Sequence, residues 1–205
     1  MNVVFDLGGV VFDWKPIELV RQVLAYRARD EASARHWFNA IFQSYGGDWQ
    51  AFDRGTVEVP ELVQRIATRT GLAAEEVRAV VDAVPAALTP VATTVQLIHD
   101  LKRAGHRLLY LSNMPAPYAD HLERTHAFFG AFEDGVFSAR VHKVKPEADI
   151  FDHALAQFGA AALDCVFLDD HAPNVAAARS LGWQAHRFTH ANAARHDLRM
   201  LGLLP

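Results

Sequence analysis

A single cysteine, Cys165, cannot close an internal disulfide. That scarcity suits a reducing compartment, so the chain is expected in the cytoplasm. Cys165 lies in an apolar run and reads as a buried, inert thiol. Basic stretches are missing too: 20 Lys and Arg are scattered among 24 Asp and Glu, for a net charge of −4. Phosphate-backbone binding needs clustered cations, which excludes nucleic acid as the main partner. No run reaches the roughly eighteen apolar residues of a membrane-spanning helix. Met1 to Val11 is apolar, but it has no basic leader and is broken by Asp6, Gly8 and Gly9, unlike a signal peptide. Internal repeats and low-complexity segments are absent as well. What remains is an ordinary globular composition, 51% apolar and 21% charged over 205 residues. It suffices for one full core, or one core with a small accessory domain.

Three short apolar runs read as strands: Asn2 to Phe5, Arg107 to Leu111 and Cys165 to Leu168. Each is continuous rather than alternating, as expected of parallel strands covered on both faces. A fourth strand is expected around Gly182 to Phe188. Helical spacing fills the gaps, over Val91 to Ala104, Ala148 to Phe158 and Asn174 to Leu181, each stopping at a glycine. Strand alternating with helix indicates an α/β fold with a doubly wound, Rossmann-like parallel sheet. Between Trp14 and Thr89 the rhythm breaks. Helical patterns at Ile17 to Arg29, Glu31 to Ser44, Pro60 to Thr70 and Ala73 to Val81 follow one another without a strand. That stretch is too long for a loop. It reads as a helical cap, residues 14–89, inserted after the first strand into a core of residues 1–13 and 90–205.

Ligands of open α/β sheets bind beyond the carboxyl ends of the strands. The polar residues of this chain cluster at those ends. Asp6 follows the first strand and precedes Gly8 and Gly9, which permit a tight turn and close approach of a ligand. Ser112-Asn113 follows the second strand and can donate hydrogen bonds to phosphoryl oxygens. Lys145, before Pro146 at an expected helix start, is a cation at the end of a helix that prefers anions, so it requires an anionic partner. Asp169-Asp170 ends the third strand. Two adjacent acids there repel one another, and a hard cation such as Mg²⁺ relieves that repulsion. Singly, each has a plainer explanation: a loop cap for Asp6, a helix cap for Ser112-Asn113, a solvated lysine, a helix-start acidic pair.

Taken together, Asp6-Leu7-Gly8-Gly9-Val10-Val11, Leu111-Ser112-Asn113, Lys145-Pro146-Glu147 and Phe167-Leu168-Asp169-Asp170 with Asn174 resemble the motifs of the haloacid dehalogenase superfamily, in its order. The likeness covers nearly the whole chain and extends to the bacterial α-glucose-1-phosphate phosphatases and the phosphatase domain of soluble epoxide hydrolase. Trp49 with Phe52-Asp53-Arg54-Gly55 resembles a segment common in small helical caps of this superfamily. The resemblance implies a Mg²⁺-dependent phosphatase acting on a small phosphorylated metabolite, a sugar phosphate among the options. Asp6 would be the nucleophile and form an aspartyl-phosphate. Asp6, Asp170 and the Gly8 carbonyl would bind Mg²⁺. Gly9, Ser112, Asn113 and Lys145 would surround the phosphoryl group, with Asp169 and Asn174 in support. Oligomeric state stays open between monomer and homodimer.

One departure stands out. Phosphatases of this superfamily usually carry a second Asp two residues after the nucleophile, as general acid, and this chain has Gly8. Loss of a general acid costs about 10²–10⁴-fold in rate. His171 and Asp13 are the candidate replacements. Two other readings remain: a metal-independent 2-haloacid dehalogenase, or a catalytically weakened module that binds a phosphorylated ligand or protein partner.

Overall fold

The computed structural model describes residues 1–205. Strand β1 (Asn2–Phe5) is followed by a tight turn and a two-residue strand, β2 (Phe12–Asp13). Five helices come next: α1 (Pro16–Val23), α2 (Glu31–Phe42), α3 (Gly47–Asp53), α4 (Val59–Thr70) and α5 (Ala74–Ala87). The short strand β3 (Thr89–Pro90) then pairs antiparallel with β2, Phe12 opposite Pro90 and Asp13 opposite Thr89, bringing the two ends of the helical segment together. Beyond it, helices and strands alternate: α6 (Ala92–Arg103), β4 (Arg107–Ser112), α7 (Ala116–Thr125), β5 (Asp134–Phe137), α8 (Ser138–Val141), α9 (Ala148–Phe158), β6 (Cys165–Asp169), α10 (Ala172–Ser180), β7 (Gln184–Arg187) and α11 (Ala191–Met200).

The main sheet runs in the order β5-β4-β1-β6-β7, and every neighbouring pair is parallel. Its central strands explain why their sequences are apolar at every position. Val3 and Phe5, Leu108 and Tyr110, Val166 and Leu168 face one hydrophobic cluster. Val4, Leu109 and Leu111, Cys165 and Phe167 face the other, with α9 and α10. Cys165 is fully buried there. Both faces are covered, so alternation disappears. Because β4 and β6 flank β1 on opposite sides, the chain reverses direction across the sheet at the carboxyl end of β1. That reversal opens a crevice beside Asp6.

Local signals set most element ends. Asp30 caps α2 and exchanges bonds with Ser33 in a capping box. Gly71 and Gly159, both left-handed, end α4 and α9. Several expectations need correction. The α1 pattern, expected to run to Arg29, stops at Val23, and Arg27 beyond it forms an ion pair with Glu76 of α5 at 3.0 Å. Helix α5 runs past Val81 to Ala87 and carries Pro85 in its last turn. Pro146 stands outside α9, because the extended Glu147 caps a helix that starts at Ala148. Local pattern does not announce helices α3, α7, α8 and α11 or strands β2, β3 and β5. No helix is long and apolar enough to cross a membrane.

Candidate active site

The turn after β1 is built around one carbonyl. Leu7 O accepts from the backbone N–H of Val10, Val11 and Phe12 at 3.3, 2.8 and 2.8 Å. Asp6 N extends the ladder by donating to Leu168 O at 2.9 Å. The Asp6 carboxylate is then held by Leu7 N, which donates to its Oδ1 at 2.7 Å. Gly9 is left-handed, with φ of +75°, and a Cβ there would collide with the Asp170 carboxylate. Gly8 is different. A Cβ at Gly8 would meet nothing within 4 Å, and its carbonyl accepts none of the turn's hydrogen bonds.

Lys145 gathers the strand ends. Its Nζ lies 2.9 Å from Asp6 Oδ1 and 2.7 Å from Asp169 Oδ2, and it donates to Leu111 O at 2.9 Å. Asn113 braces the lysine loop reciprocally: Lys145 N donates to Asn113 Oδ1 at 2.8 Å, and Asn113 Nδ2 donates to Lys145 O at 3.0 Å. Asn113 therefore spends its amide on the backbone of Lys145. Asp169 accepts from His171 N at 2.8 Å and from Asn174 Nδ2 at 3.0 Å, which leaves it fully engaged. Ser112, buried at the end of β4, presents its hydroxyl to the same crevice.

The charges do not balance. Oxygens of Asp6, Asp169 and Asp170 all lie within 4.8 Å of one another, and Lys145 is the one buried cation among them. Burial pulls the Lys145 ammonium down, and the Asp169 and Asp6 carboxylates outweigh it and hold it above its ordinary value. Asp6 is pushed up to about 7, chiefly by burial, with Lys145 opposing and Asp169 and Asp170 adding to the rise. Lys145 thus shares its charge between two carboxylates and satisfies neither alone. Asp170, more open to solvent, is also raised by desolvation and by Asp169. An all-oxygen donor set with surplus negative charge and an unbonded carbonyl at Gly8 fits a hard divalent cation.

The model of the haloacid dehalogenase-like hydrolase family matches residues 1–182. The chain belongs to that family. This haloacid dehalogenase-like hydrolase is 29% identical over 199 residues to a sesquiterpene phosphatase of Aspergillus oryzae, covering 97% of this chain and 94% of that one. A solved HAD-like family hydrolase of Porphyromonas gingivalis superimposes with a TM-score of 0.75 at 26% identity, over 98% of this chain and 97% of that one. The same fold recurs at 19% identity in a HAD family enzyme of Bacteroides thetaiotaomicron, solved in complex with magnesium and inorganic phosphate. There the TM-score is 0.70, over 92% of this chain and 93% of that one.

Above the polar floor of the hydrolase stands a cavity of about 340 Å³. Asp6, Gly8, Ser112, Asn113, Lys145, Asp170, His171 and Asn174 all line it. Its walls and roof are mainly aromatic and aliphatic: Trp14, Tyr45, Trp49, Leu88, Met114 and Tyr118. Trp14 Nε1 donates to Tyr45 OH at 2.9 Å, and Tyr118 OH donates to Val81 O at 2.7 Å, so both phenols are tied to the helical segment. Phe42 and Phe52, by contrast, are core. Asp13 stands elsewhere, paired with Lys15 at 2.8 Å on the surface.

One residue of the site had no role assigned from sequence. Asp53, at the end of α3, lines the cavity although it is only 6% exposed. Its carboxyl group is pushed up to about 8, mainly by burial and then by the Asp6 charge, with Lys145 opposing. Its one local signal was membership of the Phe52-Asp53-Arg54-Gly55 segment. Proximity to Asp6, some 47 positions upstream, has no signature in either neighbourhood.

Proposed function

We propose that this hydrolase is a Mg²⁺-dependent phosphomonoesterase whose substrate carries a largely apolar leaving group. The observation that carries this reading is an aromatic-walled cavity standing directly on the Asp6–Lys145 pair. The phosphatase relative, a sesquiterpene phosphatase, supports both halves of it. Asp6, Asp170 and the Gly8 carbonyl would hold the ion. Mg²⁺ in such a position supplies charge neutralisation that lets an anionic phosphate approach a carboxylate.

The chain's own residues do the rest. Asp6 attacks phosphorus, and water later hydrolyses the aspartyl-phosphate. Lys145 keeps Asp6 oriented and compensates the phosphoryl oxygens, while Asp169 and Asn113 hold Lys145 in place. Ser112 donates to a phosphoryl oxygen, and Gly9 leaves room for the Asp170 carboxylate. Residues 14–89 act as the cap that excludes water from the reacting atoms. Its aromatic residues receive the leaving group.

The test is a panel of n-alkyl and prenyl phosphates, glucose 1-phosphate and 2-chloropropionate, each with Mg²⁺ or EDTA. Hydrolysis of the phosphates should require Mg²⁺. Within the alkyl series kcat/KM should rise up to about fourfold per methylene, the equivalent of about 0.8 kcal/mol, until the cavity is filled. A preference for glucose 1-phosphate over every alkyl phosphate would remove the apolar assignment. Halide release that survives EDTA would remove the phosphatase reading.

A further inference from the structure

The hydrolase has a nucleophile but, with glycine at position 8, no side chain beside it to protonate what leaves. The groups that face the cavity narrow the alternatives. Tyr118 has its hydroxyl committed to Val81 O. Tyr45 is a poor acid, because burial pushes its phenol up to about 12. His171 lines the cavity from a solvent-exposed position, and Asp13 does not reach it. Beyond the residues of the polar floor, Asp53 is the buried acid of the cavity lining. The hydrogen bond at Asp53 is accepted by its backbone carbonyl, from Ser138 Oγ at 2.5 Å, and its carboxyl group has no partner in the protein. On the cavity wall and without a protein partner, that carboxyl group is free to meet a group bound in the cavity.

The backbone around Asp53 is fastened to the sheet domain rather than left to the helices. Ser138 Oγ also accepts from Met114 N at 2.8 Å, which ties Asp53 to the loop that follows Ser112. Arg54 forks onto Glu147, with Nη1 donating to Oε2 at 2.9 Å and Nη2 to Oε1 at 2.5 Å. Gly55, left-handed at φ +74°, sits so close to Ala139 that a Cβ would press on its carbonyl. Three consecutive residues thus dock on the polypeptide around the phosphoryl site. These contacts hold Asp53 where it lines the same cavity as Asp6 and Gly8, and the space beside Gly8 is open.

We propose that Asp53 is the general acid–base of this enzyme, replacing from the cap the carboxyl group that Gly8 lacks. The proposal rests on the phosphatase reading above. As Asp6 Oδ bonds to phosphorus and the phosphorus–oxygen bond to the leaving group breaks, the Asp53 proton passes to the departing oxygen, which leaves as a neutral alcohol. The resulting Asp53 carboxylate takes a proton from the water that attacks the aspartyl-phosphate, and the starting state is restored. Burial, the larger cause of its raised pKa, favours the protonated form and agrees with that assignment.

Leaving-group dependence tests it. Purified wild type, Asp53→Asn, Gly8→Asp/Asp53→Asn and Asp6→Asn are assayed with Mg²⁺ on an alkyl phosphate and on p-nitrophenyl phosphate, whose phenolate leaves without help. Asp53→Asn should slow the alkyl substrate by about 10²–10⁴-fold and the nitrophenyl substrate by less than about tenfold. Gly8→Asp has an unstrained backbone and open space to occupy, and it should restore much of the alkyl activity. Equal slowing of both substrates, or of neither, overturns the proposal while leaving the phosphatase reading intact. Absence of hydrolysis by the wild type removes that reading itself, and no effect of Asp6→Asn removes Asp6 as nucleophile. Should Asp53→Asn fold poorly, the wild type alone decides. Its chemical step should depend only weakly on leaving-group basicity across substituted aryl and alkyl phosphates, and a steep dependence overturns the assignment.

Discussion

Replacing Asp6 by Asn should abolish turnover and, without Mg²⁺, make the protein more stable. Asn keeps the oxygen that accepts from Leu7 N and faces Lys145 Nζ, so both contacts can persist. What disappears is one charge from a cluster of three carboxylates around a single buried cation. Asp6 moves from its ordinary 3.8 to about 7 on folding. At about 1.36 kcal/mol per tenfold, that is about 4 kcal/mol against the ionised folded state. Between those values the folded protein binds more protons than the unfolded chain, so wild-type stability falls as pH rises from about 4 to about 7 and then levels. Urea titrations in EDTA at intervals from pH 5 to 8.5 read this directly. The Asp6→Asn variant should gain about 4 kcal/mol over wild type at pH 8 and less than half of that at pH 5. Its remaining slope belongs to Asp53 and Asp170, which are also raised. Saturating Mg²⁺ at a hundredfold over its dissociation constant should return about 2.7 kcal/mol to wild type, and less to the variant. A variant that is less stable at pH 8, or whose pH slope equals that of wild type, would refute the charge imbalance.

Lys145→Met should do the reverse, destabilising by about 3–5 kcal/mol at pH 8 and less at pH 5, where the carboxylates can protonate; thermal melts at the two pH values check it. Gly9→Ala should lose about 1–3 kcal/mol through its left-handed backbone and push on Asp170, which calorimetry would register as weaker Mg²⁺ binding. Ser112→Ala should lower kcat by about 10²–10³ with little change in melting temperature, since a phosphoryl donor is removed and no core contact is. Asn113→Ala acts through Lys145, so it should cost both stability and activity, seen in parallel melts and kinetics.

The sheet was legible where the environment is uniform. Val3 to Phe5 and Val166 to Leu168 are apolar throughout because helices cover both faces, and a short apolar run between polar ends has few other uses. Strand β5 is covered less evenly and contains Gly135, which lies against the Tyr110 ring where a Cβ would overlap it. Its sequence follows a contact with another strand, not a period of its own. Helix α3 hid behind Gly46-Gly47, which reads as a turn, and α1 ends where tertiary packing overrides a helical pattern that continues to Arg29. In the site, the strand-end polar residues could be grouped in advance because topology alone delivers them to one edge. Asp53 could not, since its place depends on Arg54 meeting Glu147 and on Ser138 reaching across, contacts between segments some 90 positions apart.

Trp49, Leu88, Met114 and Tyr118 line the cavity, and each also belongs to the cluster of 44 buried residues that joins the helices to the sheet. Substrate choice and folding therefore draw on the same side chains. A mutation that reshapes the pocket for a new leaving group also loosens the joint between the two halves, so exploration of new substrates is taxed in stability. Ser44 and Gln50 escape that constraint, because they face the cavity without being part of the core. Variation among close relatives should concentrate at those positions first, with the buried aromatic residues changing only in company.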